Sequence, residues 1–447
     1  MSDSAAKERD RFLAGLAGLF SVSVSDLRGI IVGFHEDMAH GLAGERSSLQ
    51  MIPSFVGRPT GREKGRFLAL DLGGTNCRVL EVELDGRGGA SIAAASRFVI
   101  PQDCMHDEGE RLFDFLAGCI DSFIREHARR ERRRERVLAF TFSFPVEQHS
   151  VSSGTLIGWT KAFTASGVEG EDVAALLSGA MKRRGLGSVR IAALTNDTVG
   201  TLVAGCYADR SCDMGVILGT GTNACYFENT ARIGKFPGPF RSVEMIVNME
   251  WGNFDRLKAN RYDAMLDAAS PNPGRQQLEK MVSGMYLGEI ARLIIREMME
   301  RRLLFEEGYH PTFSAPYAFT TEHLSLLAGG CDEVFADLGL ANLPDEDQAA
   351  MLEIGRLVAL RSACVAGAAI AAVITWMEPG LEADHAVAID GALFEKYPGY
   401  RHNMQAVMIE LLGDRAGRIA LVPARDGSGI GAAVVAAVAA KTSRRIA

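Results

Sequence analysis

Asp71, Gly73, Gly74, Thr75 and Arg78 fall within FLALDLGGTNCRVLEVEL (Phe67–Leu84), where apolar segments flank a tight turn. Glycine lets backbone N–H groups approach an anion with no Cβ in the way, and successive N–H groups in a turn form a concave anion site. Thr75 adds a hydroxyl, and Arg78 a fork that fits phosphate oxygens or a neighbouring carboxylate. Asp71 by itself repels phosphate. It makes sense with a divalent cation between them, since magnesium takes one or two carboxylates together with substrate phosphates and water. GVILGTGTNACYFEN (Gly215–Asn229) repeats the plan, with Gly219, Thr220, Gly221 and Thr222 at its turn. Two such turns facing each other, with one acid, outline a nucleoside triphosphate and its metal. Taken singly, each turn also reads as an ordinary hairpin, and neither matches G-x-x-x-x-G-K-[ST] or G-x-G-x-x-G.

A second set of groups is polar and uncharged or acidic. Ser143, Thr160 and Lys161 lie in FTFSFPVEQHSVSSGTLIGWTKAF (Phe140–Phe163), and Asn196 and Asp197 in LTNDTVGT. Asn223 closes the second glycine turn, Glu250 lies in VNMEWGNF, and Gln276 and Glu279 in NPGRQQLEKMVSGMYLGE. Amides, hydroxyls and carboxylates with little apolar surface are what a polyol asks for. Each residue alone also fits a surface or capping role, and Glu279 beside Lys280 fits a solvated pair.

The elements that must carry these groups are legible from periodicity. Residues near 26–42 read as helix, and 51–65 as a connector punctuated by proline and glycine. In RLFDFLAGCIDSFI (Arg111–Ile124), Leu112, Phe115, Leu116, Cys119, Ile120 and Phe123 share one helical face. VLAFTFSFP (Val137–Pro145) and SVRIAALTNDT (Ser188–Thr198) read as buried strands ending in polar residues, the place where α/β sheets keep their chemistry. The likeness of the two glycine hairpins suggests two related halves facing across a cleft, or a chance echo. Two further glycine turns, Asp390–Tyr400 and Asp426–Ala440, fit plain turns and helix starts, the second opening a small-residue helix.

Composition narrows the class. A length of 447 residues suits two or three domain-sized units. A net charge of −8 disfavours a nucleic-acid partner, and in the one basic run, Arg125–Arg136, three glutamates interleave as on a solvated helix face. The cysteines Cys77, Cys104, Cys119, Cys206, Cys212, Cys225, Cys331 and Cys364 form no C-x-x-C pair, which argues against structural zinc and for reduced thiols. The first residues carry charge where a secretory segment is apolar. The longest apolar run, Val365–Thr375, is far short of a membrane span and reads as a buried helix. The expectation is a cytoplasmic protein with no membrane partner.

Taken in order from about Leu49 to Ala440, these strings resemble the eukaryotic-type hexokinase family, which includes the mammalian glucokinase. FLALDLGGTNCRVL is similar to the family's first phosphate motif, FTFSFP through WTKAF to its sugar signature, and GTGTNACY to its second phosphate motif. NPGRQQLEKMVSGMYLGE is similar to the segment closing the sugar pocket, and DGALFEKYPGY to the adenosine-side segment. The resemblance implies an α/β, actin-like ATPase (ribonuclease H-like) fold of two lobes, each a mixed sheet flanked by helices, with a cleft between them. The implied organisation is residues 1–65 with the large lobe, 66–198 as the small lobe, 199–431 as the large lobe, and a helix from 432 to 447 returning to the small lobe. It implies ATP-dependent phosphorylation of a hexose, D-glucose foremost, at the 6-hydroxyl, with ATP and Mg2+, as a monomer or homodimer.

Residue by residue, Asp197 stands where the family has its catalytic base. Thr160 and Lys161 would hold sugar oxygens, with Lys161 also offsetting charge at the transferring group. Ser143, Phe144, Asn196, Asn223, Glu250, Gln276 and Glu279 complete the sugar pocket. Gly73, Gly74, Thr75, Asn76, Arg78, Gly219, Thr220, Gly221 and Thr222 would meet phosphates, Asp71 the magnesium, and Gly284, Gly391 and Ala392 the nucleoside. Groups drawn from both lobes give sugar binding a physical reason to close the cleft. Three departures stand out: Ala162 where glycine often follows the Thr-Lys pair, Ile430 in place of a lysine found in some relatives, and Val146 in place of a common cysteine. The start also lacks the apolar peptide with which some animal members dock on mitochondria. The competing readings are a sugar sensor without turnover, against which Asp197 and Lys161 both stand, and an actin-like ATPase of chaperone or filament type, which leaves the sugar constellation unexplained.

Overall fold

The apolar run that ends at Asp71 lies in the strand Lys64–Leu72, whose last five residues are buried on both faces. The chain returns through Asn76–Asp85, antiparallel, so that Asp71 stands opposite Arg78. The structure, a computed structural model, describes all residues except 1–2, 128–134, 161–162, 237, 239, 241, 306–309, 331–332, 341–342, 425 and 445–447.

Five strands form the first sheet in the order Ala90–Val99, Asn76–Asp85, Lys64–Leu72, Arg136–Phe142, Val189–Thr195. The first three are antiparallel, and the last two run parallel to Lys64–Leu72. The second sheet follows the same plan: Glu244–Asn248, Thr222–Asn229 and Cys212–Leu218 antiparallel, then His385–Asp390 and Ile419–Pro423 parallel. Numbered within its own half, each sheet reads 3-2-1-4-5. The echo between the glycine hairpins thus extends to the connectivity of both halves. The second sheet gains one short edge strand, Ile52–Pro53, from the connector. Arg58 of that connector lies 3.9 Å over the Phe227 ring and pairs with Asp213 and Glu244.

Each half ends in a helix, Asp197–Ala208 or Gly427–Arg444, and the two pack against each other between the sheets. The second covers strands of the first sheet, and the first covers strands of the second. Val199, Leu202 and Val203 from one helix and Ala432, Ala433, Val435 and Ala436 from the other form a core with Ala69, Leu80 and Ala139 of the first sheet and Cys225 and Ala388 of the second. A Cβ on Gly431 would stand 1.8 Å from the Gly200 carbonyl oxygen, and one on Gly200 would stand 2.9 Å from that of Ser428. The helices therefore meet backbone to backbone.

Several expectations change. The last helix begins at Gly427, five residues before the expected 432. On the helix Gly109–His127, Phe113 is fully buried and Phe115 only partly so. Of the basic run, 128–134 lies outside the described residues. Arg125 pairs with Asp121, while Arg136 is buried in a strand against Glu81 at 3.0 Å, not on a solvated face. The Val365–Thr375 run is buried as expected, but within the 33-residue helix Asp345–Met377. That helix has the length and composition of a membrane span, with 89% of its apolar window inside the protein. Ala5–Ala43 passes the same test, and is broken where Ser23 caps the helix Val24–Ala43.

Peptide-to-peptide contact leaves no side chain to yield, so Gly431→Ala should lower the melting temperature by at least about 5 °C, from an overpacking cost on the order of 2 kcal/mol or more. Gly18→Ala is the control. It sits in an exposed helix with nothing within 4 Å of the added Cβ, and should leave the melt unchanged or slightly raised.

Candidate active site

The strands Lys64–Leu72, Arg136–Phe142 and Val189–Thr195 are parallel, so their C-terminal ends share one edge of the first sheet. Gly73, Ser143 and Asn196 follow those ends directly. In the second sheet, Cys212–Leu218 and His385–Asp390 are parallel and lead into Gly219 and Gly391 in the same way. The topology thus gathers most of the sequence-named residues from five separate strand ends.

At the first turn, Gly73 N–H donates to the Asn76 carbonyl at 3.0 Å and the Asn76 amide to Thr75 Oγ1 at 2.7 Å. Arg78 donates Nη2 to Asp71 at 2.7 Å. At the second turn, Gly219 N–H donates to the Gly221 carbonyl at 3.1 Å, and the Thr220 side is exposed. Gly284 N–H donates to the Gly219 carbonyl and Met285 N–H to that of Thr220, which seats a helix start against the turn. Gly391, at φ +137°, packs so closely that a Cβ would stand 2.2 Å from the Leu218 carbonyl oxygen. Ala392 is exposed next to it. Thr222 departs from its expected phosphate role: its hydroxyl donates to the Ile217 carbonyl and accepts from Trp251 Nε1, and its N–H donates to Glu279. Both of its donors are thereby engaged away from a phosphate.

Asn196 caps the helix Asp197–Ala208, its Oδ1 accepting from Val199 N–H at 2.8 Å. Asp197 occupies the first helical position and accepts from Thr198 N–H at 2.8 Å, where the helix dipole favours an anion. Asp390, not singled out from sequence, ends its strand close to Asp197. Burial, with Asp197 and Glu395 adding repulsion, pushes its carboxyl up to about 6.

The polar wall on the second sheet is a closed network. The Asn223 amide nitrogen donates to Asn248 Oδ1 at 2.8 Å and to Glu250 Oε1 at 3.3 Å, and the Asn248 amide nitrogen donates to the same Glu250 oxygen at 2.9 Å. Glu250 holds φ +52° and Gln276 φ +56°, left-handed conformations that a side-chain-bearing residue keeps only when its surroundings impose them. Glu279 accepts from Thr222 N–H at 3.0 Å, tying this wall to the second turn. The alternative of a solvated Glu279–Lys280 pair does not hold for Lys280: it is 3% exposed and bonds Asp267 at 2.6 Å and the Asn272 carbonyl.

On the first sheet's side, Thr160 is exposed and Ser143 half-buried. Lys161, with Ala162, lies outside the described residues. The Phe144 side chain, expected in the sugar pocket, is buried edge-on against Trp159 and Phe163, which stack on each other at 5.2 Å. That aromatic packing fixes the segments on either side of the loop that carries Thr160.

The sequence also matches known proteins. Two family models, both described as hexokinase, match residues 13–207 and 213–438. Hexokinase-7 of Oryza sativa subsp. japonica is 40% identical over 98% of this chain and 98% of its own length. Hexokinase-4, chloroplastic, of the same species is 41% identical over 93% of this chain and 86% of its own. The hexokinase of Schistosoma mansoni, solved in complex with glucose, superposes with a TM-score of 0.87 at 34% identity, covering 96% of this chain and 99% of that one. Two halves of like connectivity and matches that run nearly end to end lead to one conclusion: this chain belongs to the hexokinase family, and its chemistry is ATP-dependent phosphorylation of a hexose.

Proposed function

We propose that the acceptor is the 6-hydroxyl of D-glucose and that Asp197 takes its proton. The observation that carries this reading is the convergence of five strand ends, which puts a carboxylate at a helix start between two glycine turns and beside a preformed polar wall. As the sugar oxygen bonds to the γ-phosphorus, the bond from that phosphorus to the bridging oxygen breaks, ADP leaves, and the proton passes to Asp197. Asn196, Asn223, Glu250, Gln276 and Glu279 hold the sugar hydroxyls, with Ser143, Thr160 and Lys161 completing the pocket from the other lobe. Gly73–Thr75, Asn76, Arg78 and Gly219–Gly221 face the phosphates. Gly284, Gly391 and Ala392 face the nucleoside. Such transfer depends on positioning and charge neutralisation more than on covalent chemistry.

Asp71 is the carboxylate offered to Mg2+. Asp71 and Asp426 both pair with the Arg78 guanidinium, and Asp390 lies near Asp197, Arg78 and Asp426, an anionic excess that suits a cation. Among the described residues no group of three His, Cys, Asp or Glu gathers to hold a metal. A single carboxylate fits an ion that keeps its waters and takes phosphate oxygens. When bound, that ion would neutralise charge on the phosphates. The reading extends to a cytoplasmic enzyme without membrane or nucleic-acid partners, acting as a monomer or homodimer, with a sugar-driven closure of the lobes 66–198 and 199–431.

In a coupled ADP-release assay, Asp197→Ala should lose turnover by about 10²-fold or more while its fluorescence titration with glucose stays near wild type. Near-normal turnover would remove Asp197 from the proton step. Gln276→Gly should raise the melting temperature, by relief of strain on the order of 1 kcal/mol, and raise KM for glucose. Asp390 adds a pH signature. With its folded pKa raised, it supports the fold below about pH 4, and that support is lost as pH climbs through about 6. Asp390→Asn, melted without nucleotide and with a chelator, should therefore be more stable than wild type at pH 7.5, with the difference gone at pH 4.

A further inference from the structure

The start of the last helix lies over the first phosphate turn. Arg78 Nη1 donates to Asp426 Oδ1 at 2.9 Å, and Nη2 donates to Ser428 Oγ at 3.1 Å as well as to Asp71. Ser428 Oγ in turn donates to Asp71 Oδ2 at 3.1 Å. The guanidinium is thus bracketed between a carboxylate on its own sheet and one that arrives nearly 350 residues later. Two features separate this from a chance surface pair. Asp426 holds φ +52° with a glycine directly after it, so a side chain is kept at a position where glycine would be free of cost. The segment is also immobilised: a Cβ on Gly427 would press on Thr201 at 3.1 Å, and Gly431 meets the peptide of Gly200 on the Asp197 helix.

We propose that Asp426 is a positioning residue for the reaction, acting through Arg78. Resting on the reading that Arg78 meets the nucleotide's phosphates, it assigns Asp426 the task of holding one arm of the guanidinium so that Arg78 does not collapse wholly onto Asp71. Without the carboxylate at 426, Asp71 is the carboxylate still hydrogen-bonded to the fork, at 2.7 Å, and both groups are withdrawn from the ligand at once. Among the described residues, the Asp426 side chain bonds Arg78 and no residue of the sugar wall, so its effect falls chiefly on the nucleotide.

The test compares Asp426→Asn, Asp426→Gly, Arg78→Ala and the Asp426→Asn/Arg78→Ala double variant. The readouts are KM for ATP and for glucose, the dissociation constant of ADP by calorimetry, and the melting temperature. Both single changes at 426 should weaken ATP and ADP by about three- to tenfold, with KM for glucose within about twofold of wild type. Asp426→Gly should melt at or above wild type, since it gives up a strained conformation, and this separates a positioning role from a structural one. Asp426→Asn should add nothing in the Arg78→Ala background. A glycine variant that melts lower with unchanged nucleotide constants overturns the proposal, as does an equal loss with and without Arg78. Unchanged nucleotide binding in Arg78→Ala alone would instead remove the reading of Arg78 on which the proposal stands.

Discussion

The close passage of two helices, peptide against peptide at Gly200 and Gly431, is the constraint on which the rest of this molecule depends. One helix begins at Asp197 and the other beside Asp426 and Ser428. Their separation fixes the distance from the Asp197 carboxylate to the groups that hold Asp71 and Arg78. Each helix also lies on the sheet of the opposite half. Any rotation of one half against the other must therefore pivot about this contact. Small residues along the last helix, Ala432, Ala433, Ala436 and Ala437, let the approach continue for more than one turn. A larger side chain anywhere along the line would separate the halves and, with them, the two glycine turns.

Around that pivot, the second sheet's wall is held in advance of any ligand. Nine described residues other than glycine have positive φ, and three of them, Glu250, Gln276 and Asp426, belong to the candidate site. Strain of this kind persists where neighbouring structure over-determines it. For Glu250 those neighbours are Asn223 and Asn248, which converge on one of its oxygens. Part of the ordering cost of binding a polyhydroxylated ligand is thus met during folding, which favours affinity without adding contacts.

Much of this was legible in the sequence because the chemistry sits where apolar strands stop. LALDLGG, FTFS, ALTND and VILGTG announce both the strand and its functional end. Asp390 follows the same rule, in AVAIDG, and could have been found by it. Other groups gave no such signal. Asn248 ends a strand as an ordinary polar residue, and its role comes from Asn223 on the neighbouring strand and Glu250 two residues on. Positive φ at Glu250 and Gln276 is imposed by tertiary contacts on residues with no local preference for it. Lys280 looked solvated because its partner, Asp267, belongs to another helix. Resemblance places Phe144 in the pocket, whereas its ring packs into the aromatic cluster with Trp159 and Phe163, which no local pattern announces. The length of Asp345–Met377 was hidden because its first turns are acidic and its later ones apolar.

The bond from Ser428 to Asp71 joins residues 357 positions apart. Ribosomes add on the order of 5–20 residues per second, so roughly twenty seconds to a minute separates the two in synthesis. Through that interval the nascent chain lacks the clasp over its first glycine hairpin. A chain that stops short of Ser428 is therefore left with Asp71 and Arg78 paired to each other, without the groups that hold them from the other side.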